Sequence, residues 1–472
     1  MPSVISNRFP YILLSLVAMM PAVMPVAVQA SGAPAVVPTP APPSKADSDR
    51  QKLQAMDAYL QAQVRNDMFS GTALVTRDGE PVFVKSYGMA NYELGAANTS
   101  DTTYPLGSVV KQFTAVAILQ LQEQGKLKVG DPICRYLETC PQSWQGITLH
   151  HLLTHTSGIP NFTGLPGWDE KLAMLSYTRS ELVALFRDLP LDFAPGEKFD
   201  YSNSGYALLG VIIERVSGQR YDDYLEEKIF KPVGMTRTYG GETRALVPGR
   251  ATGYYSVGTD FISARLVSPT SHLGTSGVYS TVSDLLLWDK ALTADRLISR
   301  ASRDAMFTPE KNSYGYGWFV GERHGRPTQF HSGSDNGFST NITRFPADGL
   351  TVIVLSNSDR TNAGGVSNDL AAIAFGAPYK LPKERLGDVL WNVMRDRGVT
   401  AALARHAELK RTAPTAYDFG DETLVTMGYD LFEVRRLAEA EAVFEYNLQQ
   451  YPKSAYSYDG LADIAAAKGD KA

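Results

Sequence analysis

Apolar residues fall into three patterns along this 472-residue chain. The first is alternating and rich in β-branched residues. Ala73-Leu-Val-Thr-Arg77 and Pro81-Val-Phe-Val-Lys85 flank Asp78-Gly79, and two such arms around Asp-Gly predict an antiparallel hairpin. Phe338 to Phe345 and Leu350-Thr-Val-Ile-Val-Leu355, either side of a turn at Ala347-Asp-Gly349, predict a second one. Pro327-Thr-Gln-Phe330 is also strand-like.

The second pattern is apolar almost all the way round a helix. Ser108-Val-Val-Lys111-Gln-Phe-Thr-Ala-Val-Ala-Ile-Leu-Gln-Leu has this character, and such a helix is buried. Ala207-Leu-Leu-Gly-Val-Ile-Ile213 is a similar run, entered through the turn-rich Pro195-Gly-Glu-Lys-Phe-Asp-Tyr201-Ser-Asn203-Ser-Gly205. Residues from about 126 to 265 are richer in helix and loop and should form a separate lobe. Strands near both ends of the first 380 residues, with helices between them, predict one sheet closed by the two ends. The expected class is α+β: an antiparallel β-sheet flanked by helices, with a helical lobe, followed by a small all-α C-terminal region at 381–472.

The third pattern starts at about residue 383, where the chain turns into charged, Ala- and Leu-rich helix. Gly428, Leu431, Ala440, Phe444 and Pro452 fall at the spacing of the 34-residue tetratricopeptide repeat, and Tyr458, Leu461, Ala462 and Ala465 begin a second unit. One and a half repeats are fewer than the three or so that bury a core of their own. The tail is expected to dock on the preceding domain or on a protein partner, or to be part of a longer array; structural packing is the favoured reading.

At the other end, Arg8 precedes the apolar segment Phe9 to Met24 and the small residues Ala27-Val-Gln-Ala30. This reads as a secretory signal over 1–30. Interrupted by Pro10 and Pro21 and falling short of roughly 20 apolar residues, it predicts no stable membrane anchor. The proline-rich stretch that follows, assigned to 31–52, predicts an extended spacer. With 45 basic and 50 acidic residues spread without runs, nothing attracts nucleic acid or anionic lipid. Cys134 and Cys140 are close enough in sequence to form a local disulfide in an oxidising compartment.

Chemistry enters with Lys111. A lysine is costly to bury unless paired or neutral, so an apolar helix carrying one near its start needs a reason. Residues i and i+3 share a helix face, so Ser108 Oγ and the Lys111 amine can meet, and desolvation lowers the lysine towards the range of a base. That pairing is a nucleophile with its activator. Ser-x-x-Lys alone is a loose pattern that chance supplies in a chain of this length. Leu106-Gly107 before the serine places it where a loop becomes a helix, with free N–H groups facing incoming negative charge.

Two further segments sharpen the reading: Tyr201-Ser202-Asn203, and His331-Ser332-Gly333-Ser334. The order Ser-x-x-Lys, Tyr-x-Asn, (Lys/His)-x-Gly resembles the class C β-lactamase and penicillin-binding-protein-like serine hydrolases. His151-Leu-Leu-Thr-His155-Thr-Ser-Gly158, Gly274-Thr-Ser-Gly277 and Tyr314-Gly-Tyr-Gly317-Trp318 are similar to the same family. The resemblance covers about residues 55 to 378 and implies one hydrolase domain over 53–380. It implies catalysis by Ser108, Lys111 and Tyr201 through an acyl-enzyme, and substrate binding by Asn203, His331, Gly333 and Ser334. The oxyanion would sit between the N–H groups of Ser108 and Ser334. No cofactor and no metal are implied.

His331 departs from the family pattern, because penicillin-recognising relatives usually carry lysine there. A histidine near pKa 6.5 is mostly neutral at pH 7, which favours esters, amides or D-amino-acid peptides over substrates with a free carboxylate. The alternatives are a β-lactamase or D-alanyl-D-alanine carboxypeptidase, and a catalytically silent sensor of peptidoglycan or β-lactams. His151 and His155 stand four apart, but no Glu follows His151 as the zinc metalloprotease pattern requires, so they read as structural. The expected setting is the bacterial periplasm or the medium outside.

Overall fold

A computed structural model describes residues 45–169, 171–242 and 245–469. The expected signal, 1–30, and the first part of the spacer, 31–44, lie outside the described residues. The assignment of a spacer up to residue 52 needs correction, because helix α1 spans Lys45–Arg65. The prolines end at Pro43. Beyond them Leu53, Met56, Tyr59 and Leu60 recur at helical spacing and pack in one apolar cluster.

Six strands form the central sheet: β1 (Gly71–Arg77), β2 (Glu80–Tyr87), β3 (Phe319–Arg323), β4 (Arg326–Asp335), β5 (Phe338–Phe345) and β6 (Leu350–Ser356). Their order is β2-β1-β6-β5-β4-β3, and every neighbouring pair is antiparallel. Both expected hairpins are present, and β1 pairs with β6 from Gly71↔Ser356 to Arg77↔Leu350. The sheet is therefore closed by the two ends of the domain.

Alternation along these strands sends side chains to two covers. Ala73, Val75, Val352 and Val354 face α1 and a late helix, Ala363–Phe375. Leu74, Ile342, Ile353 and Leu355 belong to a larger core that includes helix α2 (Lys111–Glu123) and helix α3 (Asn203–Ser217). Trp144, Phe162, Phe186 and Leu209 of the 126–265 block lie in that same core. The block and the inner face of the sheet thus share one interior. Cys134 and Cys140 are disulfide-bonded, with Cα atoms 5.3 Å apart.

Five helices from Leu386 to Lys468 make up the C-terminal region. Leu390, Trp391, Leu431, Val443, Phe444 and Ile464 build its core, which also takes in Val257 from the preceding domain. Val257 belongs to the hairpin Tyr254–Val257/Asp260–Ser263, on which the helices dock. Asp430 Oδ2 accepts from the Gly258 N–H at 3.0 Å, and Asp388 pairs with Arg360 at 3.1 Å, both side chains largely buried. A Cβ at Gly258 would stand 1.8 Å from the Trp391 ring. Among the described residues, no helix is long and apolar enough to cross a membrane.

Candidate active site

Ser108 sits in a 3-10 turn, Gly107–Val110, that runs straight into α2 at Lys111. The turn is pressed onto β4. Gly107 has φ +55°, and a Cβ there would lie 2.7 Å from the Ser334 nitrogen; one at Gly333 would lie 2.0 Å from the Leu106 carbonyl oxygen. Only glycine permits both approaches. Thr340 Oγ1 on β5 donates to the Leu106 carbonyl at 2.7 Å, and the Leu106 N–H donates to Val278 at 2.8 Å. Pairing of β4 with β3 stops at Phe330. The β4 segment around Gly333 and Ser334 lies against the serine turn.

Lys111 is fully buried. Its Nζ is 3.0 Å from Ser108 Oγ and 3.1 Å from the Thr275 carbonyl oxygen. Desolvation alone holds its pKa well below the usual lysine range. Ser108, by contrast, keeps partial access to solvent. The hydroxyl is reachable from solvent, and the amine lies behind it.

Tyr201 lies two residues before the start of α3. Its turn is fastened from the 155–163 segment: Ser202 N–H donates to His155 Nδ1 at 3.1 Å, Ser202 Oγ to the Ile159 carbonyl at 3.0 Å, and Asn203 N–H to Asn161 Oδ1 at 3.0 Å. The His155 ring lies 4.2 Å from the Tyr201 ring, centroid to centroid. Lys111 Nζ is 5.0 Å from the centroid of the Tyr201 ring. The Tyr201 hydroxyl is buried without a hydrogen-bond partner of good geometry. Burial raises its pKa, with the Ser108 hydroxyl opposing that rise. It is a phenol at neutral pH, positioned towards the serine.

His331 is brought into the same cluster but is not open to a substrate. It is 2% exposed, with Nδ1 2.6 Å from the Ser332 carbonyl oxygen and Nε2 3.0 Å from the Tyr314 hydroxyl. A carbonyl only accepts, so Nδ1 carries the proton and Nε2 accepts from Tyr314. Burial pushes its pKa down to about 3. Both nitrogens of His331, a residue expected to bind substrate, are satisfied inside the protein. Asn203 is half-buried, its Nδ2 donating to Thr163 Oγ1 at 3.0 Å.

Sequence reasoning missed three participants. Thr275 contributes a backbone carbonyl, which no residue type announces; its bracketing glycines, Gly274 and Gly277, were the available signal. Tyr314, which the sequence marks only as flanking similarity, locks His331, and His155, which reads as structural, packs on Tyr201. Among the described residues no group of three or more His, Cys, Asp or Glu side chains is placed to hold a metal ion.

The Beta-lactamase family model matches residues 54–377. The chain belongs to the Beta-lactamase family. A penicillin-binding protein of Bacillus subtilis (strain 168) is 35% identical over 364 residues, covering 71% of this chain and 78% of its own length. Among solved structures, this Beta-lactamase-family chain is similar to the octameric penicillin-binding protein homologue from Pyrococcus abyssi, with TM-score 0.62 and 28% identity over 74% of this chain and 82% of that one. It is also similar to a D-stereospecific amidohydrolase from Streptomyces sp., with TM-score 0.61 and 26% identity over 69% of this chain and 99% of that one.

Proposed function

We propose that this protein is an exported serine hydrolase that cleaves ester, amide or D-amino-acid peptide bonds through an acyl-enzyme. The observation that carries the reading is the fully buried Lys111 Nζ, 3.0 Å from Ser108 Oγ. An uncharged amine in that position is a base with one evident proton to take.

In the first half-reaction Ser108 Oγ attacks the substrate carbonyl carbon as its proton passes to Lys111. The carbonyl π electrons move to oxygen, and the oxyanion lies between the N–H groups of Ser108 and Ser334, a reading supported by the close approach of Gly107 to Ser334. Collapse breaks the bond to the leaving group, which takes a proton through the Tyr201 phenol. Water then attacks the ester, loses its proton to the same Lys111–Tyr201 pair, and releases the acid and Ser108. Asn203 flanks the acyl group from the start of α3.

Substrate class follows from His331. Neutral, buried and satisfied at both nitrogens, it offers no fixed positive charge to a carboxylate. The D-stereospecific amidohydrolase from Streptomyces sp. supports an amide or D-amino-acid substrate, and the Bacillus subtilis relative supports a cell-envelope setting. The test compares a p-nitrophenyl ester, a D-amino-acid amide and a chromogenic cephalosporin, each with wild type and Ser108→Ala. Turnover of the first two, lost in the variant, is expected. Full activity in Ser108→Ala would refute the assignment, and preference for the cephalosporin would move the protein to the β-lactamases.

A further inference from the structure

Thr114 lies one turn beyond Lys111 on the same face of α2. Its Oγ1 donates to the Gly274 carbonyl at 2.8 Å and lies 2.6 Å from the Tyr221 hydroxyl. A hydroxyl has one proton. With that of Thr114 on the Gly274 carbonyl, Tyr221 is the donor to Thr114. Both side chains are buried, Thr114 at 0% exposure and Tyr221 at 2%. The next carbonyl along, that of Thr275, accepts from Lys111. Two consecutive carbonyls of one turn are therefore held by two side chains three residues apart on one helix.

The turn has little freedom to move elsewhere. Gly274 has φ +71°, and a Cβ there would lie 2.3 Å from the Tyr206 carbonyl oxygen on α3. On its far side, Gly241 packs so closely that a Cβ would meet the Gly277 carbonyl at 2.1 Å. We propose that Thr114 and Tyr221 are positioning residues, which fix the 274–277 turn so that the Thr275 carbonyl aims the Lys111 amine at Ser108. A neutral amine has two N–H bonds and one lone pair. When the Thr275 carbonyl takes one N–H, rotation about the last side-chain bond is restricted and the lone pair faces the serine. Without the relay, the buried Gly274 carbonyl loses its partner, the turn relaxes, and the amine loses that orientation.

This inference rests on the Ser108–Lys111 reading, and the experiment separates the two. Saturation of Ser108 labelling by a fluorophosphonate yields a maximal rate and a half-saturating concentration without knowledge of the natural substrate. Thr114→Val should lower the maximal rate about 30- to 100-fold, as sub-ångström to ångström misplacement does, and leave the half-saturating concentration within about twofold. Thr114→Ser should restore the rate to within about threefold of wild type. Tyr221→Phe, which removes only the outer donor, should slow labelling about fivefold with its circular dichroism and KM-like term unchanged. Unaltered maximal rates in both Thr114→Val and Tyr221→Phe would overturn the proposal, as would failure of Thr114→Ser to rescue. If wild type does not label at all while Ser108→Ala retains activity, it is the hydrolase reading that fails.

Discussion

Lys111 Nζ and Ser108 Oγ stand 3.0 Å apart with the amine fully buried and the hydroxyl reachable from the cleft. Arginine in place of Lys111 would put a permanent cation there, one that could not give up its proton. Lys111→Arg should lower fluorophosphonate labelling and ester turnover by about 10³-fold, in the range that loss of a general base produces. Activity within tenfold of wild type would show that the amine is not the base.

The pH dependence has a defined sign. Lys111 is held far below the ordinary lysine range by desolvation, so labelling should rise with pH as this amine loses its proton and then level off well before pH 10. In Lys111→Met that rise should vanish together with the activity. A rate still climbing steadily up to pH 10 would mean an ordinary, solvated lysine.

Stability should respond to acid through the buried histidines. His331 has its pKa depressed from 6.5 to about 3, so between those values the unfolded chain binds a proton that the folded chain refuses. The contribution of a neutral His331 is complete above pH 6.5 and is lost as pH falls from there towards 3. His406, depressed to about 4, adds in the same direction. The melting temperature should drop by several degrees from pH 7 to pH 4.5, and less steeply in His331→Asn. A flat profile would contradict the burial of these rings.

Restoring the lysine that penicillin-recognising relatives carry should not restore their chemistry. His331→Lys would put an ammonium where Tyr314 and the Ser332 carbonyl hold a neutral ring. Destabilisation of roughly 3 kcal/mol is expected from an unpaired buried charge, with no gain in cephalosporin hydrolysis. A stable variant with new cephalosporinase activity would show that the site tolerates and uses the cation.

The two covalent and packing constraints remote from the cleft should affect stability and leave activity alone. Cys134→Ser removes a disulfide closing a short loop and should cost about 2 kcal/mol. Gly258→Val, driven into Trp391 from a residue at φ +58°, should cost more, about 3 kcal/mol, and release the C-terminal helices to limited proteolysis. Resistance equal to wild type would mean that those helices are held elsewhere.

Much of this architecture is legible because single residues carry the signal. Asp78-Gly79 and Ala347-Asp-Gly349 mark hairpins through turn chemistry, and Lys111 marks the site because a charged residue has no other business in an apolar helix. What is not legible is whatever backbone contributes. The Thr275 carbonyl would be the same atom in any residue, and the locking of His331 depends on Tyr314 meeting it across the β3–β4 region. The spacer boundary failed for a related reason: Lys45-Ala-Asp-Ser-Asp lacks the prolines of its neighbours but shows no apolar repeat until Leu53 enters.

The pairing of β1 with β6 joins Gly71 to Ser356 across more than half of the chain, and Ser334 reaches the turn of Ser108 only through that sheet. A growing polypeptide that has already delivered its nucleophile to the outside of the ribosome still has no place for an oxyanion. On the proposed reading, activity waits for the final strand to slot between its neighbours, and fragments ending before it should be inert however well their helices form.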